Sequence, residues 1–151
     1  MYKQTLFDEA VAARDRGDYA LARRLFEQGA KEGHPYGLVL LASMYIEGHG
    51  TPVNLQKAEE LLMQAESLGV LEAVLQRANL WHSHGDMKKH FAALQQGARQ
   101  GSLAAQYRVG ICYARGIGVE KDREKALAVM KEASADGHLG RECTLARRLL
   151  A

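Results

Sequence analysis

The sequence predicts an all-α protein: a right-handed α-solenoid of four helix-turn-helix repeats closed by a C-terminal capping helix. Three observations predict it. Four segments end in a small residue followed by a glycine, at Gly33, Gly69, Gly101 and Gly137, with intervals of 36, 32 and 36 residues. Fifteen residues before each of those glycines stands Asp18, Asn54, Asp86 or Asp122, all residue types that cap a helix N-terminus by accepting its unpaired N–H groups. Ahead of each cap lies a second segment with helical spacing of apolar and small residues.

The capped segments are the B helices of the four pairs. Each carries apolar or small residues on one stripe: Ala22-Phe26-Gly29, Ala58-Leu62-Ala65, His90-Leu94-Gly97 and Ala126-Met130-Ala133. The glycine that follows supplies the left-handed C-cap that a side-chain-bearing residue adopts only at a cost. The A helices share a frame, Leu41-Ala42-Ser43-Met44-Tyr45, Arg77-Ala78-Asn79-Leu80-Trp81 and Val109-Gly110-Ile111-Cys112-Tyr113. Ala42, Ala78 and Gly110 are the small residues expected where A and B backbones cross. The second and fourth repeats insert Gly48-His49-Gly50-Thr51-Pro52-Val53 and Gly116-Ile117-Gly118-Val119-Glu120-Lys121 between A and B, whereas the first and third turn at Gly17-Asp18 and Gly85-Asp86. As loops, the long inserts are expected to tolerate added polar residues.

From each B anchor to the next A anchor the distance is 19 residues: Ala22 to Leu41, Ala58 to Arg77, His90 to Val109. The same step from Ala126 reaches Leu145 in the frame Leu145-Ala146-Arg147-Arg148-Leu149, so an unfinished fifth repeat is expected to cap the stack. A single repeat domain over residues 1–151 follows, with repeats at about 1–33, 34–69, 70–101 and 102–137 and the partial repeat at 138–151.

The Leu/Val-small-x-x-Tyr frame, Gly-x-Gly loop, Asp/Asn cap and Lys57-Ala58 or Lys125-Ala126 pair together resemble the Sel-one-like repeat (SLR) family, a relative of the tetratricopeptide repeat (TPR). The short repeats look more like plain TPR units, with Glu9 and Arg77 at an anchor that is normally apolar. The resemblance implies an adaptor or scaffold for protein assemblies rather than a catalyst. A fold of this kind hosts many activities, so the partner does not follow from it.

Composition excludes several alternatives. With 47% apolar and 25% charged residues the chain can bury a core, and a formal charge of +2 provides no field for nucleic acid or an anionic membrane. Two cysteines without a CxxC spacing suggest neither a disulfide framework nor a thiolate zinc site, which favours a reducing compartment. No run reaches membrane-spanning length, and the cytoplasm is the expected location unless an export signal has been removed. No phosphate loop, His-Glu-x-x-His motif or nucleophile elbow occurs, so no catalytic residue and no cofactor is expected.

His82, His84 and His90 form the one chemically pointed cluster and would be the ligands if zinc were held. Their spacing argues against it: His82 and His84 point to opposite sides of a helix, and His90 occupies the inward anchor. Exposed loop histidines plus one packed histidine is the expectation, with His34, His49 and His138 also in loops.

In TPR-like stacks the concave wall is built from the A helices, so a protein-binding face is expected on their inner stripe. Positions two and five residues either side of each anchor share that stripe. Phe7, Val11 and Arg14 come from the first repeat, Tyr36, Val39, Ser43 and Ile46 from the second, Glu72, Leu75, Asn79 and His82 from the third, and Tyr107 and Ile111 from the fourth. Glu47 and Arg115 join the rim. Either these apolar side chains form an open groove anchored on Tyr36 and Tyr107, or neighbouring A helices bury them against one another. The expected partner is a protein or peptide, with the chain a monomer or a weak homodimer through its C-terminal helix, where Leu145 and Leu149 could pair. Two other readings compete with the adaptor: a self-associating structural unit, and the N-terminal helper module of a longer enzyme.

Overall fold

The computed structural model describes residues 3–135, with Arg148 alone beyond them. Among the described residues eight α-helices occur: α1 (Gln4–Asp15), α2 (Tyr19–Lys31), α3 (Pro35–Glu47), α4 (Leu55–Ser67), α5 (Glu72–Ser83), α6 (Met87–Arg99), α7 (Leu103–Arg115) and α8 (Arg123–Ala135). They are the four expected A/B pairs. The C-terminal capping helix, Gly137, His138, Cys143, Leu145 and Leu149 lie outside the described residues.

All four caps stand where the repeat places them. Asp18 accepts from Leu21 N at 3.3 Å, Asn54 from Lys57 N at 3.0 Å, Asp86 from Lys89 N at 3.1 Å and Asp122 from Lys125 N at 3.0 Å. Each cap residue also donates its own N–H backwards, to the carbonyl of the frame's last position. Those bonds, Asp18 to Ala13, Asn54 to Tyr45, Asp86 to Trp81 and Asp122 to Tyr113, are all 2.9 Å long. Short turns and long inserts therefore close on the same bond.

The B helices end at Gly33, Gly69 and Gly101 with φ of +75°, +92° and +95°. The next residue's N–H returns to the helix, as in His34 N to Gly29 O at 2.8 Å and Ser102 N to Gly97 O at 3.0 Å, which satisfies a carbonyl that would otherwise lack a partner. His34 is more than a loop residue: its Nδ1 accepts from Gly37 N at 3.0 Å and caps α3, while its ring stacks on Phe7 at 4.9 Å.

The chain groups into two compact units, Met1–Ala73 and Val74–Ala151. In the first, Ala10, Ala13, Ala22, Phe26, Leu38, Ala42, Met44, Ala58, Leu62 and Ala65 form the core. In the second, Val74, Ala78, Leu94, Ala105 and Cys112 pack together, and Tyr107, Ala126, Met130 and Ala133 form a further cluster. The frame's small residue is buried in every repeat, at Ala10, Ala42, Ala78 and Gly110. A Cβ on Gly110 would lie 2.7 Å from Met130 Cγ, so at the α7–α8 crossing an alanine would oblige the Met130 side chain to shift.

The Gly-x-Gly inserts do not stand free of the fold. A Cβ on Gly50 would lie 3.0 Å from Tyr19 O, and one on Gly118 would overlap Met87 O. Tyr19 and Met87 are equivalent, each the first residue of the short repeat's B helix. Both glycines have left-handed φ, +70° and +69°. The expected tolerance of these loops is thus corrected: each insert folds onto the preceding short repeat, and His49 stacks on Tyr19 at 4.3 Å.

Two stability measurements check this architecture. Alanine at Asp18, Asn54, Asp86 or Asp122 should cost about 1 kcal/mol in denaturant unfolding, the usual effect of losing a side-chain cap. Gly118→Ala should cost more, about 2 kcal/mol or above, because it combines a left-handed φ with backbone overlap; a value near zero would contradict the packed insert.

Candidate protein-binding surface

The A-helix stripe is built by periodicity, but its members differ in depth. In the first unit Phe7, Val11 and Ile46 are half-buried against the core, and Phe7 meets the edge of Phe26 at 6.1 Å. Val39 is fully part of that core at 5% exposure, whereas Tyr36, three residues earlier on α3, is 55% exposed. Ser43 is half-buried and donates to Val39 O at 3.2 Å. Arg14 pairs with Asp15 at 3.1 Å, and exposed Glu47 with His49 at 2.9 Å.

Glu72, near the end of the first unit, is exposed; in the second unit Asn79, His82 and Arg115 are exposed, and Leu75 and Ile111 are half-buried. Tyr107 departs from the expectation. At 7% exposure it packs with Ala126, Met130 and Ala133 of α8. Tyr107 and Val39 are thus core residues, corrected from the open apolar patch. Of the apolar residues expected to line it, Tyr36 alone reaches the exposed range. Mutual packing sinks the apolar half of the stripe, while its polar half stays at the surface.

Where α5, α6 and α7 come together in the second unit they leave a pocket of about 250 Å³. Asn79 and His82 line it from α5, His90 from α6, Arg108, Ile111 and Cys112 from α7, and Ile117 from the following insert. Asn79, His82 and Ile111 are stripe residues; Arg108, His90, Cys112 and Ile117 are not. Arg108 Nη1 donates to Asn79 Oδ1 at 3.1 Å. His90 is buried, Nδ1 donates to Ala78 O at 2.7 Å, and its ring meets that of His82 at 5.0 Å in an edge-to-face contact. The bond to a carbonyl fixes the proton on Nδ1 and leaves Nε2 as the acceptor of the neutral ring. Cys112 lies deepest, and burial raises its thiol to about 11.

Among the described residues, no group of three His, Cys, Asp or Glu side chains is placed to hold a metal ion. His84 Nδ1 bonds Leu80 O at 2.8 Å, one turn back along α5. Nor is any described helix long and apolar enough to cross a membrane.

The Sel1 repeat model matches residues 14–34, 35–70 and 103–138. The chain belongs to the Sel1 repeat family. Sel1 repeats generally mediate protein interactions. A Sel1 repeat protein from Oxalobacter formigenes superposes with a TM-score of 0.64 at 21% identity, over 83% of this chain and 53% of that one. A protective antigen of uropathogenic Escherichia coli strains displaying an SLR fold superposes with a TM-score of 0.57 at 25% identity, over 78% of this chain and 26% of that one. These likenesses, with the eight described helices and no strand among them, establish an all-α solenoid fold. The chain spans about half and about a quarter of the two solved proteins. Residues 71–102, which the matched segments leave out, hold the third repeat with its unusual Arg77 and His90.

Two measurements test these placements. Tyr107→Ala should destabilise the fold by about 3 kcal/mol, as aromatic truncation in a core does. Cys112 should react slowly with a thiol reagent at pH 8 and rapidly once unfolded. Because its folded-state pKa lies above the unfolded value of 9.0, its contribution to stability is complete below about pH 9 and is lost as pH rises towards about 11.

Proposed function

We propose that this Sel1-repeat chain is a binding module rather than a catalyst, taking a peptide or protein segment on the surface of its A helices. The observation that carries the reading is the pocket between α5, α6 and α7. Three residues of the A-helix stripe, Asn79, His82 and Ile111, converge on it together with Arg108, mixing apolar wall with directed polar groups. In the first unit the exposed ring of Tyr36 offers an aromatic anchor of the type that dominates interface energies. Phe7, Val11, Ile46 and Leu75 contribute partial apolar surface around the anchors, and Arg14, Ser43, Glu47, Glu72 and Arg115 a polar rim. The family's general role in protein interactions supports the same reading.

Affinity capture with mass spectrometry identifies the partner, and variants then locate its site. Tyr36→Ala should weaken binding by about 2 kcal/mol, roughly thirtyfold in Kd, if Tyr36 is an anchor. As an exposed residue it should move stability by no more than about 0.5 kcal/mol. A paired Asn79→Ala, His82→Ala variant should likewise weaken capture without unfolding. Full partner binding by both variants would refute the A-helix surface.

A further inference from the structure

We propose that the pocket between α5, α6 and α7 takes a tryptophan side chain of the partner segment, its indole N–H donating to His90 Nε2 and its ring lying between the Arg108 guanidinium and the wall of Ile111 and Ile117. This inference rests on the binding reading above and names the side chain that one part of that surface selects.

His90, at the floor of the pocket, sets the first requirement. It stands where the other three B helices have alanine, at Ala22, Ala58 and Ala126, and is 7% exposed. Its Nδ1 proton is committed to Ala78 O, and His82 meets the ring edge-to-face, so the imidazole is held in one orientation and one tautomer. Nε2 is then a hydrogen-bond acceptor, and among the described residues no donor meets it. A ligand that filled the pocket without an N–H or O–H would remove this nitrogen from water and leave it unpaired, which is unfavourable. Selection for a donor is therefore built into the floor.

The walls select the rest of the side chain. Ile111 and Ile117 supply aliphatic surface, and Cys112, whose thiol burial pushes up to about 11, behaves there as a small uncharged hydrophobe. Arg108 is half-buried, and its bond from Nη1 to Asn79 Oδ1 at 3.1 Å holds the planar guanidinium near the rim, where it can cover an aromatic face. Other donors fit less well. A lysine ammonium would be repelled by Arg108, hydroxyl and amide side chains would leave the aliphatic wall unused, and a tyrosine hydroxyl would bring lone pairs that this wall cannot meet. Indole has one N–H donor, no acceptor to satisfy and two apolar faces. At about 250 Å³ the pocket falls below the range of about 300–1,000 Å³ typical of small-molecule sites and suits a single side chain.

The test uses the whole chain, isotopically labelled for NMR, at about pH 8 and with three uncharged probes. These are N-acetyl-tryptophan amide, the matching benzothienylalanine amide, in which sulfur replaces the indole N–H, and N-acetyl-leucine amide. The tryptophan amide should give saturable shifts at the His90 ring and at the Ile111 and Ile117 methyl groups. The benzothienyl probe, of nearly the same shape, should bind about tenfold more weakly because it leaves Nε2 unpaired, and the leucine amide more weakly still. His90→Ala, which restores the residue of the other B helices, should remove the difference between the two aromatic probes. Arg108→Gln should weaken both of them by about threefold and leave their ratio unchanged, the effect of losing a cation over the ring.

Absence of saturable shifts with the tryptophan amide would overturn the proposal. So would equal binding of either other probe to the unaltered chain, a comparison that does not depend on any variant folding. Persistence of the tenfold preference in His90→Ala, or unchanged affinity in Arg108→Gln, would overturn it as well. None of these results would touch the wider A-helix surface, which stands or falls on partner capture by Tyr36→Ala and by the paired Asn79, His82 variant.

Discussion

Each helix pair depends on one residue at the A–B turn, the Asp or Asn that bonds in both directions. Its side chain accepts an N–H from the first turn of the B helix, and its own N–H donates to the A helix three residues after the small crossing position. The return bond is 2.9 Å in all four repeats, although five residues separate donor and acceptor at Asp18 and Asp86, and nine at Asn54 and Asp122. Fixing both ends of the turn sets where α2, α4, α6 and α8 begin relative to their partners. The small residues at Ala10, Ala42, Ala78 and Gly110 then fall at the crossings, where larger side chains would separate the backbones.

With the two ends pinned, extra residues in a long repeat have only one direction to go. They leave the pair and fold onto the preceding short repeat, at Tyr19 in one unit and Met87 in the other. Each insert thus meets its own helix start. It also couples neighbouring repeats beyond their helix faces, as nearest-neighbour contacts in a repeat array do.

Much of this was legible in the sequence because it repeats. The caps, helix-ending glycines and small crossing positions recur at fixed spacing, and the structure places the described ones as expected. The packing of the inserts was not legible, since nothing in Gly48-His49-Gly50 announces that a neighbouring backbone carbonyl occupies the space a Cβ would need. The stripe was half legible. Helical periodicity put Asn79, His82 and Ile111 on one face, but periodicity reports direction and not depth. Tyr107 and Val39, each two residues before its anchor, are buried, whereas Tyr36, five before its anchor, remains at the surface.

The least legible part of the site is also where the repeat is broken. His90 replaces an alanine that the crossing ordinarily needs, and the fold accommodates the ring through its bond to the carbonyl of Ala78, the small residue of the facing helix. Arg77, at an anchor that is Leu41 and Val109 elsewhere, is buried with a bond to Gln96 Oε1 at 3.0 Å. A buried polar side chain contributes less than the apolar residue it displaces unless its hydrogen bonds are met, so neither substitution is an economical way to hold helices together. Local departures from a consistent pattern concentrate at functional or strained positions. Both departures fall in the third repeat, between the segments that match the family, and His90 lines the pocket. The general Sel1 frame therefore accounts for how the helices stack, whereas the residues that depart from it give this chain's surface its own chemistry.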